Sequence, residues 1–298
     1  MNKFTKAIAA MMLIVAAIVV AGCTPDEPEP EPQNIVAPEG AVDGLFSVSE
    51  NKQVYFSQGN LQYQPSTNTW QFALNQYDCL ERNDYVQIDE NYDEWIDAFA
   101  WGTSGNNHGA VCYQPWSNSE NDADYFAYGD SVANLYDHTG RADWGYNRIR
   151  NGGNQTGQWR TLTKDEWEYI FDKRTTTSGA RFAHAVVNNA FGIILFPDDW
   201  DPTVYSFVEV NKKKIFSPFI TNVISETDWN ALHYQYGLVL LPIYQRGCAY
   251  WSSSYNDKND EYGLNCAFEM STLPGFIFVG TNEYRHNKCY VRLVQDAD

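Results

Sequence analysis

Two acidic turns carry the residue types that could hold a cation. Asn256-Asp-Lys-Asn-Asp-Glu261 brings together the carboxylates of Asp257, Asp260 and Glu261, and Asp198-Asp-Trp-Asp201 is a shorter candidate. Calcium takes about six to eight oxygen ligands, many of them from carboxylates and amides. These turns are therefore the weak calcium candidates of the chain, and solvated turn residues on an acidic surface are the alternative.

The sequence does not indicate nucleophilic catalysis. Ser104 lies in Gly102-Thr-Ser-Gly105, which differs from the Gly-x-Ser-x-Gly pattern of a nucleophile elbow. The five histidines are scattered, without the spacing of metal ligands. We therefore predict no catalytic residue, and no metal centre apart from the calcium candidates.

Six cysteines are present, and Cys23 is the first of them. No two have Cys-x-x-Cys spacing, which argues against a zinc site or a thioredoxin-like redox site. The other five are Cys79, Cys112, Cys248, Cys266 and Cys289. Because this number is odd, at least one thiol is unpaired or pairs between chains. Cys266 and Cys289 lie in predicted C-terminal strands and are the first candidate pair, although spacing does not fix the connectivity.

Aromatic residues make up 15% of the chain, and many lie in the glycine- and asparagine-rich segment 102–154. A segment this long, with little periodicity, is typical of a loop that carries function or packs on its own side chains. Exposed aromatic rings in it would stack on sugar rings. We predict Trp116, Tyr125, Tyr128 and Trp144 as binding residues, and packing of the loop on itself is the alternative.

Acidic residues outnumber basic residues by 38 to 20, so the formal net charge is −18. A surface of this sign repels the phosphates of nucleic acid and the headgroups of anionic lipid. We therefore predict that neither is a partner of the protein.

The first 22 residues have the pattern of a signal peptide. Lys3 and Lys6 form a basic start, an apolar run covers 7–20, and Val20-Ala-Gly-Cys23 follows. This site resembles the bacterial lipobox, which implies cleavage before Cys23 and attachment of lipid to Cys23. A transmembrane anchor is the alternative, but the run is shorter than the roughly 20 residues of a span. We predict an outer-membrane protein that contacts the membrane through its N-terminal lipid.

Residues 23–40 form an acidic, proline-rich tether. Alternating proline and like charges favour an extended chain. The tether resembles the surface-export signal of Bacteroidetes lipoproteins, which implies a domain exposed at the cell surface; a simple spacer is the alternative. Residues 41–298 are long enough for one large domain, and we predict a single domain there.

Two helices begin with the same capping pattern. Thr163 and Glu166 form a capping box that predicts an amphipathic helix over 163–173. The segment Ser225-Glu-Thr-Asp-Trp229 repeats the pattern and predicts a second helix over 224–233. These helices are structural elements, and nothing in them is chemically reactive.

Alternating apolar and polar residues predict strands on both sides of these helices. The predicted strands are 45–49, 53–56, 60–63, 69–73, 192–196, 237–241, 250–254, 265–269, 276–279 and 289–294. The first four are separated by turn residues and predict an opening antiparallel meander. Because strands and helices do not alternate as βαβ units, the predicted fold class is α+β.

Several segments, taken in order, resemble the Fibrobacter succinogenes major paralogous family. They are Phe56-Ser-Gln-Gly-Asn-Leu-Gln-Tyr63, Trp101-Gly-Thr-Ser-Gly105, Trp159-Arg-Thr-Leu-Thr-Lys-Asp-Glu-Trp167, Tyr250-Trp-Ser-Ser-Ser254 and Val291-Arg-Leu-Val294. That family belongs to the C-type-lectin-like superfamily, on the branch of formylglycine-generating enzyme (sulfatase-modifying factor). The resemblance implies a C-type-lectin-like fold, in which two short helices pack on antiparallel sheets with long loops on one side.

The catalytic features of that enzyme branch are missing from this chain. Its copper-binding cysteine pair has no counterpart, because Cys266 and Cys289 lie too far apart for the local motif. Its calcium segment corresponds to Ala249-Tyr-Trp251, where the carboxylate is absent. We therefore expect a non-catalytic surface lipoprotein that binds a glycan or a protein through its loops. An accessory subunit of a surface fibre or complex is the alternative, and a formylglycine-type oxidase is the least favoured function.

Overall fold

A computed structural model gives the fold of the domain. It describes residues 36–80, 88–105, 134–135, 141–215, 222–243, 248–259, 265–273 and 276–297, with only the backbone of 248–249, 257–259 and 265–273. Residues Ala37–Asp298 form one compact unit. Among the described residues, no helix has the length and apolar character needed to cross a membrane.

Short strands make up most of the regular structure. In chain order they are β1 (Phe46–Ser49), β2 (Lys52–Phe56), β3 (Leu61–Gln64), β4 (Thr69–Phe72), β5 (Ala98–Phe99), β6 (Arg160–Thr161), β7 (Phe182–Val187), β8 (Ala190–Leu195), β9 (Asn222–Ile224), β10 (Val239–Ile243), β11 (Cys248–Asn259), β12 (Asn265–Leu273), β13 (Phe276–Tyr284), β14 (Cys289–Tyr290) and β15 (Leu293–Asp296). The helices are α1 (Lys164–Glu168), which continues as a π-helical turn over Tyr169–Lys173, and α2 (Glu226–Tyr236).

In the described part of the chain, the strands form three sheets and one hairpin. The first sheet has the order β1-β2-β15-β6, and all its pairs are antiparallel. The second has the order β10-β8-β7-β9 and is parallel at β7–β9; the third has the order β13-β12-β11-β14-β5 and is parallel at β11–β14. β3 and β4 form the separate hairpin. The predicted α+β class is confirmed, because short helices accompany mostly antiparallel sheets.

The capping box before α1 has the predicted geometry. The amide of Glu166 donates to Oγ1 of Thr163 (3.2 Å), and the amide of Thr163 donates to Oε2 of Glu166 (2.8 Å). Arg160 adds an ion pair with Glu166, with 2.7 Å between Nη1 and Oε2. The carboxylate of Glu166 lies in the first turn of α1, where the helix dipole favours negative charge.

The second predicted helix is also present. The amide of Asp228 donates to Oγ of Ser225 (3.1 Å), so Ser225 caps the first turn of α2. Gly237 follows the helix with a φ of 67°. A Cβ at Gly237 would lie 2.2 Å from the carbonyl oxygen of Asp43, so only glycine fits this helix end.

Three apolar clusters of described residues hold the elements together. The first joins α1, including Trp167, to the first and second sheets. The second surrounds the β3–β4 hairpin and contains the tryptophans Trp101 and Trp251. The third packs α2, through Trp229, on the opposite face of the second sheet. Each sheet or helix therefore buries its apolar face against another element.

The predicted opening meander is wrong in its pairing. The four strands are present, but β2 pairs with β15 at Phe56↔Val294 instead of with β3. The amide of Leu61 at the start of β3 donates to the carbonyl oxygen of Val291 (2.9 Å). Residues 291–294 thus lie between β2 and β3, which the sequence predicted to be neighbours. Turn residues alone do not specify this arrangement.

A glutamine side chain closes part of the outer edge of β10. The amide of Leu240 donates to Oε1 of Gln76 (2.6 Å), and Nε2 of Gln76 donates to the carbonyl oxygen of Leu238 (3.1 Å). A carboxamide can make both bonds because it carries a donor and an acceptor, as a strand residue does. Gln76 therefore occupies the place of a neighbouring strand at this edge.

Two further side chains complete the closure of this edge. Nη1 of Arg292 donates to the carbonyl oxygen of Leu240 (3.3 Å), and Nη2 donates to Oε1 of Gln76 (2.7 Å). The hydroxyl of Tyr250 donates to the carbonyl oxygen of Pro242 (3.1 Å). These bonds satisfy buried backbone groups that would otherwise lack partners. They also join the second sheet to β11 and to the segment between β14 and β15.

Candidate functional site: a loop fastened at its base

The long segment predicted to carry binding residues is fastened at its base. The hydroxyl of Ser104 donates to the carbonyl oxygen of Arg141 (2.9 Å), and Nδ2 of Asn147 donates to the carbonyl oxygen of Ser104 (2.9 Å). Positions before 106 and after 140 in the sequence are thus in direct contact. We call residues 106–140, which include the predicted binding residues Trp116, Tyr125 and Tyr128, the candidate loop.

A buried guanidinium group lies beneath this base. The guanidinium carbon of Arg285 lies 4.8 Å from the ring centroid of Trp101 and 4.6 Å from that of Tyr255. The amide of Trp101 also donates to the carbonyl oxygen of Arg285 (2.8 Å). Cation–π contacts with these two rings hold the planar group in place. β11, the turn after β13 and the chain that precedes the candidate loop therefore meet at Arg285.

A buried carboxylate fixes the chain just beyond the loop. Oδ1 of Asp143 accepts hydrogen bonds from the amide of Gly145 (2.9 Å) and the hydroxyl of Thr161 (2.9 Å), and Oδ2 accepts one from the amide of Thr161 (3.0 Å). Burial raises the pKa of Asp143, while these donors and the charge of Arg160 lower it. The carboxylate thus ties the returning segment to β6 of the first sheet.

The third sheet also contacts residues 134–135, which lie within the candidate loop. The amide of Leu135 donates to the carbonyl oxygen of Ser253 (2.9 Å), and the amide of Tyr255 donates to Oδ1 of Asn134 (2.8 Å). Residues 134–135 therefore lie against β11. The candidate loop is therefore attached to the domain both at its base and, through residues 134–135, at the third sheet.

The predicted aromatic binding residues do not share one environment. Trp144 is 0% exposed and packs in the second cluster, 6.3 Å from the ring of Phe99. Its prediction as an exposed stacking residue is therefore wrong, because a ring inside the core presents no face to a ligand. Trp116, Tyr125 and Tyr128 lie outside the described residues.

The cation and cysteine predictions fall mostly on undescribed side chains. Asp260, Glu261, Cys112 and the side chains of Asp257, Cys248 and Cys266 lie outside the described residues. Within the described part, no group of three or more His, Cys, Asp or Glu side chains could hold a metal ion.

The other acidic turn has a structural role. Oδ2 of Asp198 accepts hydrogen bonds from the amide and hydroxyl of Ser47 and from Nε2 of Gln53 (2.8, 2.6 and 2.8 Å). Oδ1 lies 3.4 Å from Nη1 of Arg174, a buried guanidinium whose pKa falls to about 10 because of desolvation. Asp198 therefore holds the first sheet against the chain that follows α1.

Replacing Arg285 with methionine should loosen the base of the candidate loop. Methionine fills much of the same space but loses the charge and the flat group that stack on Trp101 and Tyr255. We expect chymotrypsin to cleave within residues 106–140 roughly tenfold faster, because each lost contact is worth about 1 kcal/mol or more. Mass spectrometry of a timed digest would locate and time the cleavage.

Arg148→Met is the matched control, because Arg148 is an exposed arginine close to the same segment. It should leave the cleavage rate unchanged. Equal rates for wild type and Arg285→Met would show that the Arg285 contacts do not hold the loop.

A comparison with family models, with curated proteins and with solved structures found no match to this chain. Family and function therefore stay proposals that rest on the residues of the chain itself.

Proposed function

We propose that this protein is a non-catalytic, lipid-anchored protein of the outer membrane that binds a glycan or another surface protein. The lipid would be attached at Cys23, and the acidic tether would separate the domain from the membrane. Binding would take place on the candidate loop. The proposed family is that of the Fibrobacter succinogenes major paralogous proteins, with a C-type-lectin-like arrangement of sheets and loops.

The observation that carries the proposal is the base of the candidate loop. Ser104, Asn147 and Arg285 fasten a segment of more than thirty residues, 106–140, at one place on the domain. A long loop costs conformational entropy, and compact domains keep such loops mainly where they carry function. A rigid scaffold that presents a loop is the common design of binding proteins.

The composition of the loop supports a saccharide or protein ligand. Residues 106–140 contain Trp116, Tyr125 and Tyr128 among many asparagine, aspartate and serine residues. Aromatic rings supply large apolar faces, and the amides and hydroxyls supply hydrogen bonds to a polar ligand. No lysine or arginine lies in this segment, which disfavours phosphate-rich ligands.

The test is a glycan and host-matrix array probed with residues 33–298. This form contains all of the compact unit Ala37–Asp298 and its three apolar clusters. We expect a saturable signal that falls about fivefold or more with Trp116→Ala, since one aromatic contact is worth about 1 kcal/mol or more. Trp95→Ala, outside the loop, is the matched control.

Calcium removal separates two versions of the proposal. A signal lost only with a chelator would move the site to the acidic residues Asp257, Asp260 and Glu261. A blank array with a folded domain would reject the glycan version and favour an accessory role in a surface complex.

A further inference from the structure

A short extended segment runs along the outer edge of β13. Lys214 forms an antiparallel bridge with Phe276, and the amide of Ile277 donates to the carbonyl oxygen of Lys213 (2.8 Å). Lys212 lies two residues before Lys214, and Phe278 lies two residues after Phe276. Because alternate residues of an extended segment point to the same side, we group Lys212 and Lys214 with Phe276 and Phe278 as one array. We call it the basic–aromatic strip.

The two phenylalanine rings of the strip form a flat surface. The ring planes of Phe276 and Phe278 differ by 2°, and their centroids are 6.3 Å apart. Phe278 is 45% exposed, so its ring is open to a ligand. The ammonium of Lys214 lies 5.4 Å from the ring centroid of Phe276. Cation–π attraction fixes the lysine beside the ring and leaves its charge at the surface.

The lysines concentrate positive charge on an acidic molecule. Lys212, Lys213 and Lys214 are consecutive in a chain with a net charge of −18. Lys213 points away from the strip and pairs with Asp172, with 2.6 Å between Nζ and Oδ1. The side chains of Lys212 and Lys214 are exposed. Among the described residues, Lys212 makes no ion pair.

The segment that carries these lysines is held in place before any ligand binds. The amide of Asn211 donates to the carbonyl oxygen of Phe182 (2.9 Å), and the ring of His184 bonds to the carbonyl oxygen of Lys212 (3.0 Å). Ile215 is buried on the inner side. A strip that is already ordered pays less entropy on binding.

We propose that the basic–aromatic strip is a second binding site, specific for an anionic polysaccharide. The apolar faces of pyranose rings would lie on Phe276 and Phe278, and carboxylate or sulfate groups would contact Lys212 and Lys214. A single saccharide chain touches only this strip. A membrane surface or a nucleic acid would meet a larger part of a chain whose net charge is −18 and be repelled.

The strip is distinct from the candidate loop. Its residues come from β13 and from the segment before Ile215, and none of them contributes to the base formed by Ser104, Asn147 and Arg285. The proposal therefore does not depend on ligand binding by residues 106–140.

The test is the binding of polygalacturonate to residues 33–298, measured by isothermal titration calorimetry at low salt. We expect Phe278→Ala to weaken binding up to about tenfold, because one ring contact is lost. Lys212→Glu should weaken binding at least as much and reduce its dependence on salt. Dextran, which is uncharged, should bind much more weakly than polygalacturonate.

Tyr234→Ala and Arg148→Glu are the matched controls, because Tyr234 is 70% exposed on α2 and Arg148 is an exposed cation elsewhere. Both should bind as wild type does. If polygalacturonate binding is lost in Trp116→Ala but kept in Phe278→Ala, the site is on the candidate loop and the strip is rejected. Equal binding of polyglutamate, or binding only to phosphatidylglycerol vesicles, would likewise reject a saccharide site. No binding of polygalacturonate to the folded domain would overturn the proposal outright, whatever the result for the loop.

Discussion

Replacing Gln76 with leucine should lower the free energy of unfolding by about 3–5 kcal/mol. The amide of Leu240 would lose its bond to the carboxamide, and the carbonyl oxygen of Leu238 would keep only its bond to the ring of His233. Each buried polar group left unpaired costs about 1–3 kcal/mol. Nη2 of Arg292 would lose its acceptor as well. Urea unfolding of residues 33–298, followed by tryptophan fluorescence, would measure the change.

Gln71→Leu is the matched control for this substitution. Gln71 is similarly buried, but its carboxamide bonds to the side chains of Gln62 and Arg150 and not to a strand edge. We expect a loss of only about 1–2 kcal/mol there, because no backbone group of a sheet is left unpaired. Equal losses at the two positions would mean that edge closure adds nothing beyond ordinary buried hydrogen bonding.

The same network gives Arg292 a structural role. Arg292 is 1% exposed, and its partners within the described residues are the oxygen atoms of Gln76, Asn60 and Leu240. Burial lowers its pKa to about 10, so the group stays charged at neutral pH. This arginine belongs to the Val291-Arg-Leu-Val294 motif that supports the proposed family. The motif can therefore be explained by sheet closure alone, without a catalytic or ligand-binding role.

Local signals predicted the helix starts correctly. The capping box of Thr163 and Glu166 and the serine cap at Ser225 lie within four residues of the turns they stabilise. Such patterns need no information from distant parts of the chain. The strands that begin at Phe46, Leu61 and Thr69 were equally readable, because alternation is a local property.

Local patterns do not predict which strands pair when those strands are far apart in sequence. The contact of β2 with β15 joins residues more than 230 positions apart, and no turn residue announces it. β7 and β9 were missed, because Phe182-Ala-His-Ala-Val-Val187 mixes small and polar residues and β9 has only three residues. Gln76 carried no signal either, since a lone glutamine in a polar segment usually faces solvent.

The burial of Trp144 could not be predicted from the composition of its segment. It lies in a segment rich in glycine and asparagine, which suggested exposure, but a 3₁₀ turn over Trp144–Tyr146 directs it into the second cluster. The strip of Lys212, Lys214, Phe276 and Phe278 was missed for the opposite reason. Its lysines and phenylalanines are about sixty positions apart in sequence, and only strand register places them together.

Acid should destabilise the domain through His233 by up to about 3 kcal/mol. Burial and the nearby charge of Arg292 lower the pKa of His233 to about 4, and a bond to the carbonyl oxygen of Leu238 offsets part of this effect. Nδ1 also lies 2.6 Å from Nε2 of Gln76, a donor that favours the neutral ring. The folded state therefore binds a proton less readily than the unfolded state, in which the pKa is about 6.5.

The two pKa values of His233 determine the direction and the pH range of the change in the free energy of unfolding. Above about pH 6.5 the ring is neutral in both states, so stability does not depend on it. As the pH falls from about 6.5 to 4, only the unfolded state gains the proton, and the free energy of unfolding decreases. Below about pH 4 the loss is complete. Urea unfolding between pH 7 and pH 4 would measure it, and an NMR titration would give the pKa of His233 directly.

His233→Gln isolates this contribution from the carboxylates that titrate in the same range. The variant should be less stable at pH 7, but its stability should fall less than that of wild type between pH 6.5 and 4.5. His184→Gln is the matched control, because burial also lowers the pKa of His184, whose ring bonds to the carbonyl oxygen of Lys212 away from the β10 edge. It should remove a separate share of the pH dependence, so the two effects should add. Parallel stability curves for wild type and His233→Gln would show that His233 is not held neutral by the Gln76 network.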